Sequence, residues 1–269
     1  MPDVGFRVAL GAFAPIVTPS SATVPDSGGA GATRLVNKSD LISFLGTSNV
    51  KLVFVASPQR NLYCIDFTGS DLTPFRMQDS LPAWNPTISP NGKLVTYSSM
   101  GEGYRGQSVI TVRDLNRAST DLTRQSGFNP RFWTGASGVD TFLIYANGAS
   151  VNSLPEWLPE KTFKQKLSGR TMVGQPEVLW GTGSYHGGLS RDGRFLGTSF
   201  TVGRLVDLQT LDTVLYYFAP PFNGRTDLPQ ICNLTMSPSS TRTGEALLLD
   251  FGYPRVSTLV GRSYGLHEF

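Results

Sequence analysis

Trp84-Asn85-Pro86-Thr87-Ile88-Ser89-Pro90-Asn91-Gly92-Lys93-Leu94-Val95-Thr96-Tyr97-Ser98 reads as a short apolar strand, a Ser-Pro-Asn-Gly turn and a second apolar strand. The outline returns as Tyr185-His186-Gly187-Gly188-Leu189-Ser190-Arg191-Asp192-Gly193-Arg194-Phe195-Leu196-Gly197-Thr198-Ser199. A weaker copy runs Cys232-Asn233-Leu234-Thr235-Met236-Ser237-Pro238-Ser239 and continues from Glu245 to Asp250. A hairpin unit repeated in one chain decides the fold before any single residue does.

The spacing tests the repeat. Ser190 and Ser237 stand 47 residues apart, and Ser89 and Ser190 stand 101 apart, about twice as far. A further copy is therefore expected near residue 135. There Asn129-Pro130-Arg131-Phe132-Trp133 precedes Gly135-Ala136-Ser137-Gly138 and the apolar run Thr141 to Tyr145, the same outline with its turn rewritten. Asp71-Leu72-Thr73 also recurs as Asp121-Leu122-Thr123, 50 residues on. Units of about 40–50 residues made of four strands are the blades of a β-propeller. The expectation is an all-β chain: a propeller of four-stranded blades, five to six in number and incomplete at the C-terminus.

Along the chain, residues 1–18 do not read as propeller, and residues 19–39, rich in Ser, Thr, Pro, Gly and Ala, read as a linker. The propeller is expected over 40–269, with strands beginning from Asp40. First hairpin strands are expected at Leu52–Ala56 and Asn61–Phe67, and the last residues, from Ser263, read as the first strand of a sixth blade. A propeller left open there exposes strand edges, so the chain is expected to continue.

The composition agrees with an all-β domain. The 269 residues include 29 Gly, 18 Pro and 11% aromatics, but only 16% charged residues, against about 25% in ordinary globular chains. A net charge of +3 without a basic stripe argues against nucleic-acid binding. No run approaches the length of a membrane span. Cys64 and Cys232 form no disulfide framework.

The Trp-Asn-Pro-x-x-Ser-Pro-Asn-Gly-Lys phrase, followed by a strand ending Tyr97-Ser98-Ser99, resembles the TolB-type, WD-repeat-like propeller repeat over residues 40–269. That resemblance implies the fold, and it implies envelope scaffold proteins, peptidase gating domains or oligogalacturonate-lyase-like enzymes as functional kin. Val4-Gly5-Phe6-Arg7-Val8 resembles the closing strand of formylglycine-generating-enzyme-like domains. The pairing of the two looks like a family of large secreted or surface paralogues in fibre-degrading bacteria, which implies a secreted, periplasmic or cell-surface location.

Read column by column, the repeat places Asn85, His186 and Asn233 four residues before the turn serine, with Asn129 and His267 at the matching positions. Repeat symmetry would set these five on one ring facing the propeller axis. Amides and imidazoles converging there can hydrogen-bond sugar hydroxyls, and His186 and His267 are the candidate metal ligands. An Asn before Pro also serves as a plain strand-leading residue whose amide bonds the local backbone. Arg131, Gln230 and Tyr185 flank the ring as candidate clamps or stacking partners, and Trp84 as a candidate sugar platform. Asp192 reads as a hairpin-turn residue.

No nucleophile motif, phosphate loop or dinucleotide fingerprint occurs. The expected function is a non-catalytic binding or scaffold module that contacts polysaccharide or protein and needs no cofactor. The alternative, implied by the resemblance, is a lyase in which a divalent metal in the channel polarises an acidic sugar. That chemistry wants more imidazoles than the two histidines present.

Overall fold

The computed structural model describes residues 37–56, 60–68, 73–101, 107–116, 119–148, 158–185, 187–200, 202–216, 230–231, 234–237, 239, 241–248, 251–252, 257–259 and 262–264. The tail expected at 1–18, and the linker up to residue 36, lie outside them.

The described chain opens with a helix, α1 (Lys38–Leu45), where strands were expected. Asn37 caps it: its Oδ1 accepts from the Asp40 amide at 2.9 Å and from the Ser39 hydroxyl at 2.6 Å. Asp40 sits in the first turn, where the helix dipole favours a negative charge. Gly46, at φ 68°, ends the helix and returns its N–H to the Ile42 carbonyl at 2.8 Å.

Everything described after α1 is strand or connection. The strands are β1 (Lys51–Ala56), β2 (Asn61–Asp66), β3 (Phe75–Met77), β4 (Trp84–Ile88), β5 (Leu94–Ser98), β6 (Val109–Asp114) and β7 (Leu122–Ser126). Next come β8 (Phe128–Thr134), β9 (Thr141–Ala146), β10 (Thr162–Ser168), β11 (Thr171–Trp180), β12 (Gly188–Leu189), β13 (Phe195–Phe200), β14 (Val202–Asp207) and β15 (Thr213–Tyr216). The last are β16 (Gln230–Ile231), β17 (Leu234–Met236), β18 (Ala246–Leu248), β19 (Phe251–Gly252), β20 (Ser257–Leu259) and β21 (Arg262–Tyr264).

Three blades are complete as four-stranded antiparallel meanders, β4–β7, β8–β11 and β12–β15. A three-stranded sheet, β1–β3, precedes them, and the pairs β17–β18, β16–β19 and β20–β21 follow. Ser263 and Tyr264 were expected to open a sixth blade. Instead they lie on β21 and pair with β20, Ser257 opposite Tyr264, because a hairpin satisfies both strands locally.

The sheets stack face on face. Val53, Val55, Leu62 and Met77 of the first sheet share a core with Val95 and Tyr97 of β5. Leu94 points the other way, to a second core with Ile110, Val112, Leu143 and Tyr145. Ile144 then meets Leu189, Leu196 and Val206 across the next junction. The period-2 alternation therefore feeds both faces of each blade, and all five residues of β5 are buried. First strands follow one another along the inner side, β4 against β8, β8 against β12 and β12 against β17. That succession is a β-propeller.

The repeated turn is built twice from the same bonds. In β4–β5 the Ser89 hydroxyl donates to Asn91 Oδ1 at 2.7 Å and accepts from the Leu94 amide at 2.9 Å, while the Lys93 amide reaches Asn91 Oδ1 at 3.0 Å. In β12–β13 the Ser190 hydroxyl donates to Asp192 Oδ1 at 2.6 Å and accepts from the Phe195 amide at 2.9 Å, with the Arg194 amide at 3.1 Å from Asp192 Oδ1. Gly92 and Gly193 hold φ 68° and 76°, where a side chain would be strained. Asp192 is thus the turn residue its position implied. In the β8–β9 hairpin Gly135 stands where the serine would, its amide donating to the Asp140 carbonyl at 2.8 Å and its carbonyl accepting from the Gly138 amide at 2.7 Å. The Trp133 indole N–H, two residues earlier on β8, donates to the Ser190 carbonyl of the next blade at 3.0 Å.

Candidate functional site at the leading ends of the inner strands

The leading ends of β4 and β8 each carry one extra residue. Trp84 pairs with Ser98 and Thr87 with Thr96, so two residues on β4 face one on β5. Phe128 and Arg131 repeat this against Ala146 and Ile144. These are β-bulges, which re-aim a side chain at one point of a strand.

Asn85 and Asn129 are the bulged residues, at φ 51° and 49°. Among side-chain-bearing residues Asn is one of the few that visits this left-handed region routinely. Pro86 and Pro130 follow. With no N–H to offer, they leave no donor unpaired where the ladder breaks.

The two amides meet. Asn85 Nδ2 donates to Asn129 Oδ1 at 2.9 Å, joining one blade to the next. The Asn129 main-chain amide donates to the Ser98 hydroxyl at 2.9 Å, and Thr87 Oγ1 donates to the Pro130 carbonyl at 3.0 Å. Asn129 is only 2% exposed, and its Nδ2 has no hydrogen-bond partner. A buried donor left so costs about 1–3 kcal/mol.

The other candidates divide. Arg131 is 5% exposed and turns its Nη1 to main-chain carbonyls, Pro130 at 2.9 Å and Asn85 at 3.4 Å, which braces the bulge. Tyr185 is 1% exposed and occupies the position of Trp84 and Phe128, so it packs inside instead of standing at the mouth. Trp84 is covered: the Arg60 guanidinium lies 3.3 Å from its ring centroid, and a Cβ on Gly101 would come within 2.1 Å of the ring. That cover closes it as a sugar platform. Gln230 lies on β16, with its side chain outside the description. His186, Asn233 and His267 lie outside the described residues. Among those described, no group of three or more His, Cys, Asp and Glu could hold a metal ion, and no helix is long and apolar enough to cross a membrane.

One group near this end carried no sequence signal. Arg204 of β14 is 6% exposed, with its guanidinium carbon 5.0 Å from the Trp180 ring centroid and Nη2 3.4 Å from the Gly183 carbonyl. Desolvation lowers its pKa to about 10. It holds a dry positive charge beside the segment leading into β12.

No family model matches the chain, and no curated protein does. Similar solved structures include TolB from Acinetobacter baumannii, with 17% identity, a TM-score of 0.41 and coverage of 61% of this chain and 40% of that one. Dihydro-heme d1 dehydrogenase NirN in complex with DHE is 14% identical, with a TM-score of 0.44 and coverage of 77% and 41%. The C-terminal WD40 domain of Sif2 is 15% identical, with a TM-score of 0.35 and coverage of 70% and 49%. The chain spans less than half the length of each of these three. The propeller assignment stands on the strand order and the packing of successive first strands.

Proposed function

We propose that this propeller is a non-catalytic binding module of a secreted or envelope protein, and that it holds a polysaccharide at the leading ends of its inner strands. The buried Asn129 amide carries the reading: its Oδ1 is taken by Asn85 while its Nδ2 has no acceptor. A buried donor left unmade calls for a reason, such as strain, a bound water or ion, or a role in binding. A sugar hydroxyl accepts one hydrogen bond and donates another, which suits an amide pair offering one donor at a time. The bulges hold both amides in place before the ligand arrives, so little ordering is required on binding.

The test is titration of the protein with a panel of neutral and acidic oligosaccharides, comparing wild type with Asn129→Gly. Glycine accepts φ 49° and removes only the amide. Binding that weakens about tenfold in Asn129→Gly, one good hydrogen bond's worth, supports the reading. Unchanged affinity overturns it, as does binding to a peptide library with none to saccharides. Metal-dependent release of unsaturated uronates would replace it with a lyase.

A further inference from the structure

A second site lies on the outer rim, away from the inner strands, in the groove between β3 of the first sheet and β7 of the second. The groove is open to solvent, about 560 Å³ in volume, and is lined by Arg76, Gln78, Asp79, Thr120, Leu122 and Arg124, among others.

Its charge is unbalanced. Arg76 and Arg124 stand on opposite walls. Behind them Arg113, 1% exposed, ties the walls together by donating through Nη1 to the Gln78 carbonyl at 2.6 Å and through Nη2 to the Ser119 carbonyl at 3.1 Å. Its Nε has no partner. Two lining guanidinium groups, Arg76 and Arg124, thus meet one lining carboxylate, Asp79, and both of its oxygens are engaged. One accepts the Tyr97 hydroxyl, and the other accepts from Arg124 and, at 3.0 Å, from the Leu81 amide. Burial and the neighbouring Asp79 push the Tyr97 phenol well above its usual range, so it stays a donor. Arg76 is exposed and uses Nη2 on Asn61 Oδ1 at 2.7 Å, leaving other N–H groups of its five-donor fork for a ligand.

We propose that this groove is an anion-binding site, taking a ligand oxyanion (a carboxylate or a sulfate ester) on Arg76, with the buried Arg113 behind it and Arg124 held against Asp79 on the facing wall. A planar, delocalised guanidinium at the rim suits bidentate capture of such a group. The site is independent of the saccharide ring at Asn85 and Asn129.

Calorimetric titration with sodium sulfate and, separately, sodium acetate, with ionic strength held constant by sodium chloride, tests this. The expected result is saturable binding of at least one anion, about tenfold weaker in Arg76→Gln and reversed to exclusion in Arg76→Glu. The arm that binds more tightly separates a tetrahedral from a carboxylate ligand. Arg242→Gln, a surface control in the connection between β17 and β18, should bind as wild type. Absence of saturable binding to both anions overturns the proposal, and so does equal affinity in Arg76→Gln and wild type.

Discussion

The two ends of each inner strand are built on opposite plans. At the turn end, Ser89 and Ser190 make the same bonds to Asn91 and Asp192 and to the next strand. At the leading end the backbone repeats as faithfully, with the same one-residue bulge and the same Asn-Pro pair in β4 and β8, yet the Asn129 Nδ2 is left without a partner. The turn end repeats bonds that close within one hairpin and serve its stability, whereas the leading end repeats a bulge whose amides reach across to the next blade.

The largest effect expected from this contrast is at the turn. Ser190→Ala leaves the Phe195 amide without its acceptor and frees Asp192, and should cost about 2–3 kcal/mol in urea denaturation. Ser89→Ala should cost about as much, and the double variant should be close to additive, since the turns belong to different blades. A loss of less than about 0.5 kcal/mol in both single variants would end the distinction between the two ends.

A middle-sized effect belongs to the leading end. Asn129→Ala should lose about 1–2 kcal/mol, because alanine resists φ 49° and Asn85 loses its acceptor. Asn129→Gly should recover the backbone part of that loss while still losing the ligand. Thermal unfolding of the two variants side by side reads the split.

The smallest effect is an exchange within the turn. Asn91→Asp and Asp192→Asn should each shift stability by less than about 1 kcal/mol near neutral pH, since either side chain presents the same Oδ1. Their pH response should differ. The Ser190 hydroxyl, then the Arg194 amide, hold the Asp192 carboxyl below its usual range. Its contribution is therefore fully present above the unfolded value, about pH 4, and is lost as pH falls through the lower folded value. Denaturation curves at pH 6 and pH 3 should converge for wild type and Asp192→Asn at the acid end. A gap that widens in acid would contradict the assignment.

Much of the fold was legible in the sequence, because propeller blades repeat their turn chemistry and the turn residues are local. The rewritten third turn was placed correctly by spacing, with Gly135 at the serine position, but the bond from Trp133 to the neighbouring blade was hidden, because it joins residues 57 apart. The helix α1 escaped notice although Asn37, Asp40 and Gly46 mark both its ends. Eight residues beside a Ser- and Gly-rich stretch gave too little periodicity to outweigh their surroundings. At the candidate site, the column of Asn85 and Asn129 was legible as a repeat position, and its meaning as a left-handed bulge was not. Trp84 and Tyr185 looked available as aromatics because nothing local announces Arg60 or Gly101 above one ring, or the burial of the other.

The indole of Trp133 also makes the joint between the third and fourth sheets visible to light. Its N–H is bound to Ser190, and Gly193 lies so close that a Cβ there would sit 2.8 Å from the ring. Prising the two sheets apart would hand that indole to water and move its emission to longer wavelength. The protein thus carries its own optical gauge at one seam, readable without attaching a dye.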